Sequence, residues 1–402
     1  MKAITNIGCL VTMTGDADNP LGLVQNGQVE IVDGAISYAG PARQLEGAWA
    51  SAEILDARGG AVLPGLIDCH THLLFAGSRA EEFSLRSKGA SYAEIMAAGG
   101  GIRNTMNAVR AADVPTLVSI CRPRLDYMLR HGVTTVEVKS GYGLSVDDEL
   151  KSLEAIRQLN DESVLDVYAT CLAAHAIPPE FENDSDRYTD VVCAEILPEA
   201  HRRRLAHGCD VFVEQGAFTV EQGRRVLMTA KDLGLDLHIH AEQLSSFGGA
   251  KLAAELGVLS AGHLEFCGPD DIQDLARAGV VAEVLTSAQV FLGMEQRIPG
   301  RALADAGVTV AVATDYNPGS ANIANLHLAA GLAITMSGLT AEEALLGVTK
   351  NAARALGLRD RGVLVAGTKA DICVLDTPSP FDLVYEWGQN HVAHVMKDGA
   401  WL

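Results

Sequence analysis

Two imidazoles sit two residues apart in "PGLIDCHTHLLFAGSR": His70 and His72 follow the apolar run 61–68 and precede a loop containing Gly77. In an extended chain, residues i and i+2 point to the same side. One strand end can therefore aim two ring nitrogens at a single cation. Alone, this spacing is a weak signal, because paired loop histidines are the commoner cause. Here it has company. His175, His240 and His263 close the apolar runs 165–174, 235–240 and 258–263, and Asp315 follows the run 308–314. Imidazoles with a carboxylate suit a divalent ion such as zinc or iron. An ion with one position left open lowers the pKa of water and makes it nucleophilic near neutral pH. "HIH" repeats the spacing at His238 and His240. His240 lies nearer the strand end and is the expected ligand, with His238 deeper as a hydrogen-bonded core residue. His131, His201, His207, His327, His391 and His394 fall in helical, loop or terminal contexts and read as ordinary.

The elements that must position these residues follow from the hydrophobic pattern. Strand-length apolar runs occur near 61–68, 133–138, 165–174, 210–214, 235–240, 258–263, 280–285 and 308–314. Between them lie helical patterns such as "TLVSICRPRLDYMLRHG" and "VEQGRRVLMTAKDLG", each ending at Gly. Eight strands alternating with helices over about 300 residues predict an α/β chain with a (β/α)8 TIM-type barrel, whose chemistry sits at the C-terminal strand ends. A doubly wound sheet is the competitor, and no G-x-G-x-x-G follows a first strand. The two ends of the chain look alike, with short apolar runs broken by turns. They predict a small composite β-sandwich from residues 1–60 and 362–402, around a barrel domain at 61–361.

Composition narrows the partners. The 402-residue chain is 48% hydrophobic and carries a formal net charge of −20. That charge argues against nucleic acid and anionic membranes, and it obliges an anionic substrate to find a local cation. No apolar run is long enough to span a bilayer. The start, "MKAITNIGCLVTMTGD", lacks the order of a signal peptide. The eight cysteines are scattered with no C-x-x-C, as expected of reduced thiols in a cytoplasmic protein.

The segments "PGLIDCHTHLLFAGSR", "GGGI", "VEVKSGYGL", "AAHAIPPE", "HAEQLSSFGGAKLAAELG", "SAGHLE" and "TDYNPGSA" resemble the imidazolonepropionase branch of the amidohydrolase superfamily, nearly end to end. The resemblance implies a barrel with one divalent ion, zinc or iron, held by His70, His72, His240 and Asp315. It implies hydrolysis of 4-imidazolone-5-propanoate to N-formimidoyl-L-glutamate, and a homodimer. The alternative is another hydrolase or deaminase of a carboxylated N-heterocycle. Within the implied reaction, Asp315 could take the proton of the attacking water. His263 could orient that water or protonate the leaving nitrogen. His175 could donate to the developing oxyanion or hold the ring. Arg79, in the first loop, could clamp the propanoate with two parallel hydrogen bonds; a salt bridge with Glu81 or Glu82 is the equal alternative. Tyr142, between Gly141 and Gly143, could face the ligand. Asn317, Gly319 and Ser320 could hold polar groups of the product, although "NPGS" also reads as a plain turn. Tyr92 and Gly99, Gly100 and Gly101 could close over the site. Gln243 stands where some relatives carry Glu, and can serve only as a neutral hydrogen-bond partner. Glu242, beside it, should face the other way. Lys139 should pair with Glu137 rather than bridge two metals as a carboxylated lysine.

Overall fold

In the computed structural model, which describes residues 1–89 and 100–402, eight parallel strands follow one another in chain order around one sheet. They are Leu66–Asp68, Val133–Lys139, Asp166–Ala174, Gly208–Val213, Asp236–Ala241, Ser260–His263, Val281–Val284 and Val310–Val312. This is the barrel that the alternation predicts. Its strands are almost wholly buried, because helices cover the outside and side chains fill the inside. The helices start and stop on local chemistry. Asp113, Ser145, Thr219 and Thr340 each accept a hydrogen bond from an amide in the first turn of the helix that follows. Gly257, Gly279, Gly293 and Gly338 end others in the left-handed conformation.

The last strand meets the first just past their ends. The Asp315 N–H donates to the His70 carbonyl at 3.0 Å, and the His72 N–H to the Tyr316 carbonyl at 3.0 Å. Thr314 adds a second stitch, donating its N–H and its hydroxyl to the two carboxylate oxygens of Asp68 at 3.1 and 2.6 Å. The joint of the barrel therefore lies on the residues expected to do the chemistry.

The apolar run 61–68 is two strands rather than one. Ala61–Pro64 pairs antiparallel with Ile372–Leu375 and parallel with Lys2–Val11, in the sheet built from the two ends of the chain. Leu66–Asp68 begins the barrel. The chain crosses between the sheets at Gly65, where a Cβ would lie 2.3 Å from Thr134 Oγ1. Both halves are buried, so hydrophobicity does not mark the switch. The terminal strands form one hydrogen-bonded sheet. Leu10, Val62, Ile372 and Val374 face an apolar core of its own, with Ile4, Val29, Ile31 and Met396. The alternate residues Cys9, Val11, Ala61, Leu63, Cys373 and Leu375 join the main core with the barrel, as the two-residue period of a strand requires. No helix of the described residues is long and apolar enough to cross a membrane.

Candidate active site

Three imidazole nitrogens turn toward one point at the C-terminal end of the barrel. His240 Nε2 lies 3.1 Å from His70 Nε2 and 3.2 Å from His72 Nε2. Asp315 Oδ1 is 3.4 Å from His72 Nε2 and 3.8 Å from His70 Nε2. All four side chains are buried, and neither Asp315 oxygen has a hydrogen-bond partner. Burial, with neighbouring positive charge, holds His70 and His72 well below the usual imidazole range, so both rings are neutral. Facing lone pairs beside an unpartnered buried carboxylate are costly. A cation among them removes that cost, and three nitrogens with one oxygen fit a divalent transition ion.

Carboxylates stand behind two of these rings. His70 Nδ1 donates to Glu283 Oε2 at 2.7 Å, and His240 Nδ1 to Asp210 Oδ1 at 3.0 Å. Each bond fixes the tautomer that leaves Nε2 free to ligate. Asp210 is in turn held by Lys139, whose Nζ lies 2.9 Å from Asp210 Oδ2 and 2.8 Å from Glu137 Oε1. Burial opposes the charge on Lys139, but Asp210 and Glu137 outweigh it and push the ammonium pKa up. The ion pair expected from the sequence is present, and it includes Asp210.

His263 brings a fourth imidazole, with a ring nitrogen near those of His70 and His240. Its backbone and that of Leu264 have φ of +76° and +71°, and Asp315 has +52°. Non-glycine residues rarely take that region, and strain of this kind collects at working sites. Behind His263 lies Glu265, buried with neither oxygen partnered, 3.8 Å from His263 Nδ1. His175 stacks on His72, with ring centroids 4.9 Å apart, and its Nδ1 donates to the Gly141 carbonyl at 3.0 Å. Burial and the neighbouring imidazoles keep it neutral. A neutral ring that donates at Nδ1 has only a lone pair at Nε2. In that state His175 offers a ligand a hydrogen-bond acceptor at Nε2. Tyr142 is buried in the same cavity, and burial together with the Asp315 charge raises its pKa, so it remains an O–H donor.

The cavity, about 420 Å³, is lined by His72, Arg79, Tyr142, His175, His240, Gln243, His263, Asp315, Asn317, Gly319 and Ser320. Tyr92 and Gly99 lie outside the described residues. Arg79 forms the expected salt bridge, its Nε donating to Glu82 Oε2 at 2.8 Å, and the residue also lines the cavity. A Cβ on Gly319 would lie 2.1 Å from Arg79 Nη1, so only glycine lets the two approach. Asn317 spends its side chain on the loop itself. Its Oδ1 accepts from the amides of Gly319 and Ser320, and its Nδ2 donates to the Asp315 carbonyl and Ser320 Oγ. Glu242 turns away from the cavity and accepts from the amides of Phe247, Gly248 and Ala250.

Residues 61–402 match the model of the amidohydrolase family. The imidazolonepropionase of Rhizorhabdus wittichii is 49% identical over 383 residues, covering 95% of this chain and 95% of its own length. That of Geobacillus kaustophilus is 44% identical over 403 residues, covering 97% and 95%. The chain belongs to the amidohydrolase family, in its imidazolonepropionase branch. Among solved structures, a triazine hydrolase variant superposes with a TM-score of 0.75 at 19% identity, covering 100% of this chain and 94% of its own. The 5-methylcytosine deaminase of Klebsiella pneumoniae does so with 0.75 at 18%, covering 100% and 97%. At that identity both show the fold alone.

Sequence reasoning passed over Asp210, Glu283 and Glu265, and over Glu149, which accepts from the amides of Gly141, Gly143 and Leu144 and so sets the Tyr142 loop. The first two carried a signal. Asp210 in "CDVFV" and Glu283 in "VAEV" are lone acids inside apolar strands, and a buried charge needs a partner.

Proposed function

We propose that the chain hydrolyses 4-imidazolone-5-propanoate to N-formimidoyl-L-glutamate, with one divalent ion, zinc or iron, held by His70, His72, His240 and Asp315. The observation that supports this reading is that His72, His240 and Asp315 line one cavity with Arg79, while His70 Nε2 lies 3.1 Å from His240 Nε2. One part suits hydrolysis and the other suits a carboxylate. A bound ion supplies a Lewis acid that polarises a carbonyl and lowers the pKa of water.

The residues do the rest. Arg79 holds the propanoate with its outer guanidinium nitrogens. His175 Nε2 accepts a ring N–H, the Tyr142 hydroxyl donates to the ligand, and Gln243 serves as a neutral partner. Asp315, whose oxygens are otherwise unpartnered, takes the proton of the attacking water. His263 delivers a proton to the ring nitrogen as its bond to the carbonyl carbon breaks. The ring opens, the nitrogen being displaced and the carbonyl carbon staying attached as the new carboxylate. Lys139 limits the site to one ion, because a charged ammonium cannot form the carbamate that bridges two. A homodimer in the cytoplasm belongs to the same proposal.

The test is direct. Protein loaded with zinc or iron should deplete the ring absorbance of fresh substrate far faster than the spontaneous decay. Chelation should abolish this and metal return should restore it; decay at the spontaneous rate would reject the reading.

A further inference from the structure

Arg79, Glu82 and Arg86 occupy positions i, i+3 and i+7 at the start of and along the helix Ala80–Ser87, so one helix face presents all three to the cavity. The charges on that face do not balance. Glu82 is fully engaged: Oε2 accepts from Arg79 Nε at 2.8 Å and Oε1 from Asn104 Nδ2 at 3.1 Å. Arg86 pairs with no carboxylate among the described residues. Its polar contact is the Gly319 carbonyl, 3.5 Å from Nη2. Its guanidinium carbon sits 5.6 and 5.3 Å from the ring centroids of Phe83 and Phe291, which hold it at the cavity wall. Gly319 therefore lies between two guanidiniums, its missing Cβ making room for Arg79 and its carbonyl receiving Arg86.

Two like charges sharing a half-buried wall with one carboxylate is an unfavourable arrangement in an empty pocket. On a chain with net charge −20, such local excess of positive charge asks for an anion. We infer that Arg86 is the second cation of a two-guanidinium subsite, so that the carboxylate tail of the substrate is shared between Arg79 and Arg86 and its presence is what Arg86 selects. The inference deepens the proposed function and rests on it for the identity of the tail. The division of labour follows from the contacts. Arg79 has its Nε tied to Glu82 and offers only its outer edge. Arg86 has no such tie and can swing from the Gly319 carbonyl onto the anion. It is a specificity-determining residue and acts on binding, remote from the reacting carbonyl.

The experiment uses metal-loaded protein, wild type and Arg86→Gln, with Arg86→Lys as the charge-conserving control. With 4-imidazolone-5-propanoate, Arg86→Gln should raise KM by about tenfold or more while kcat changes by less than about threefold, and Arg86→Lys should recover part of the loss. Calorimetry with 3-(imidazol-4-yl)propanoate, which is not hydrolysed, should show a matching loss of affinity. Binding of 4-methylimidazole, which has no carboxylate, should not change. An unchanged KM and affinity would overturn the inference. So would equal losses for the tailed and tail-less ligands, or a wild type that does not prefer the tailed one. Absence of turnover in the wild type would instead defeat the proposed function, and the calorimetry would still decide whether Arg86 reads a carboxylate.

Discussion

A ligand histidine is only as well placed as the group behind its other nitrogen. Here Glu283 backs His70 and Asp210 backs His240, both buried and both bonded at Nδ1. Asp210→Asn or Glu283→Gln keeps the volume but weakens the hold on the ring. Each should lower metal affinity by about 10- to 100-fold, read by competition with a chromogenic chelator; full retention of affinity would make these carboxylates mere filling. Glu265 poses a sharper case. Its Oε1 lies 3.8 Å from His263 Nδ1, and neither of its buried oxygens has a hydrogen-bond partner. If it steadies His263 for proton delivery, Glu265→Gln should cut kcat by about 100-fold with little change in KM, the scale of one acid–base contribution. An unchanged kcat would remove Glu265 from the mechanism. At this scale the sequence was legible where spacing carried meaning, as at His70 and His72. It was opaque where a role depends on a tautomer. Nothing in "AAHAIPPE" says that His175 gives its proton to the Gly141 carbonyl.

At the level of elements, the site depends on loops that are built from their own side chains. The segment after the second barrel strand turns back because the Glu149 carboxylate gathers three of its amides. Gly141 makes the turn with φ of +106°, where a Cβ would meet the Leu172 carbonyl at 2.8 Å and His175 Nδ1 at 3.1 Å. Gly141→Ala should cost about 1–3 kcal/mol in strain, measured as a lowered midpoint of chemical unfolding. It should also raise KM, because both Tyr142 and His175 hang on this turn. Stability and KM that both match the wild type would refute this account of the loop. The glycines flanking Tyr142 announced a turn in the sequence, but its anchor, eight residues beyond Gly141, is visible only in space. The same holds for the run 61–68. Its hydrophobicity is continuous, and only the close approach of Gly65 to Thr134 shows why the chain changes sheets there.

For the molecule as a whole, the alternation of strands and helices made the barrel readable, and the likeness of the two ends made their shared sheet readable. Beyond the apolar face that the two share, part of what joins sheet and barrel was not readable, because it is a set of charges far apart in the chain. Asp166 opens the third barrel strand and receives Arg361, Lys369 and Lys397; the two lysines lie 2.8 and 3.2 Å away. Lys397 ends the strand Val392–Lys397 of the terminal sheet and also reaches Asp371 at 3.2 Å. Burial alone would raise the Asp166 pKa. The hydrogen bond from Lys369 and the charges of Lys397 and Arg361 prevail and hold it down at about 2. A carboxyl whose folded pKa lies below its unfolded value stabilises the fold above the unfolded pKa, and that contribution fades as pH falls toward the folded one. The loss should thus fall between about pH 4 and pH 2. The side chain is 35% exposed, so solvent screening reduces the linkage to about 1 kcal/mol. Asp166→Asn should lower stability by about that much at neutral pH, and the variant's deficit should shrink as acid unfolding is approached, because the wild type loses the same interaction. Parallel stability curves for the two proteins from pH 7 to pH 2 would mean that the sheet is held to the barrel by its apolar face alone.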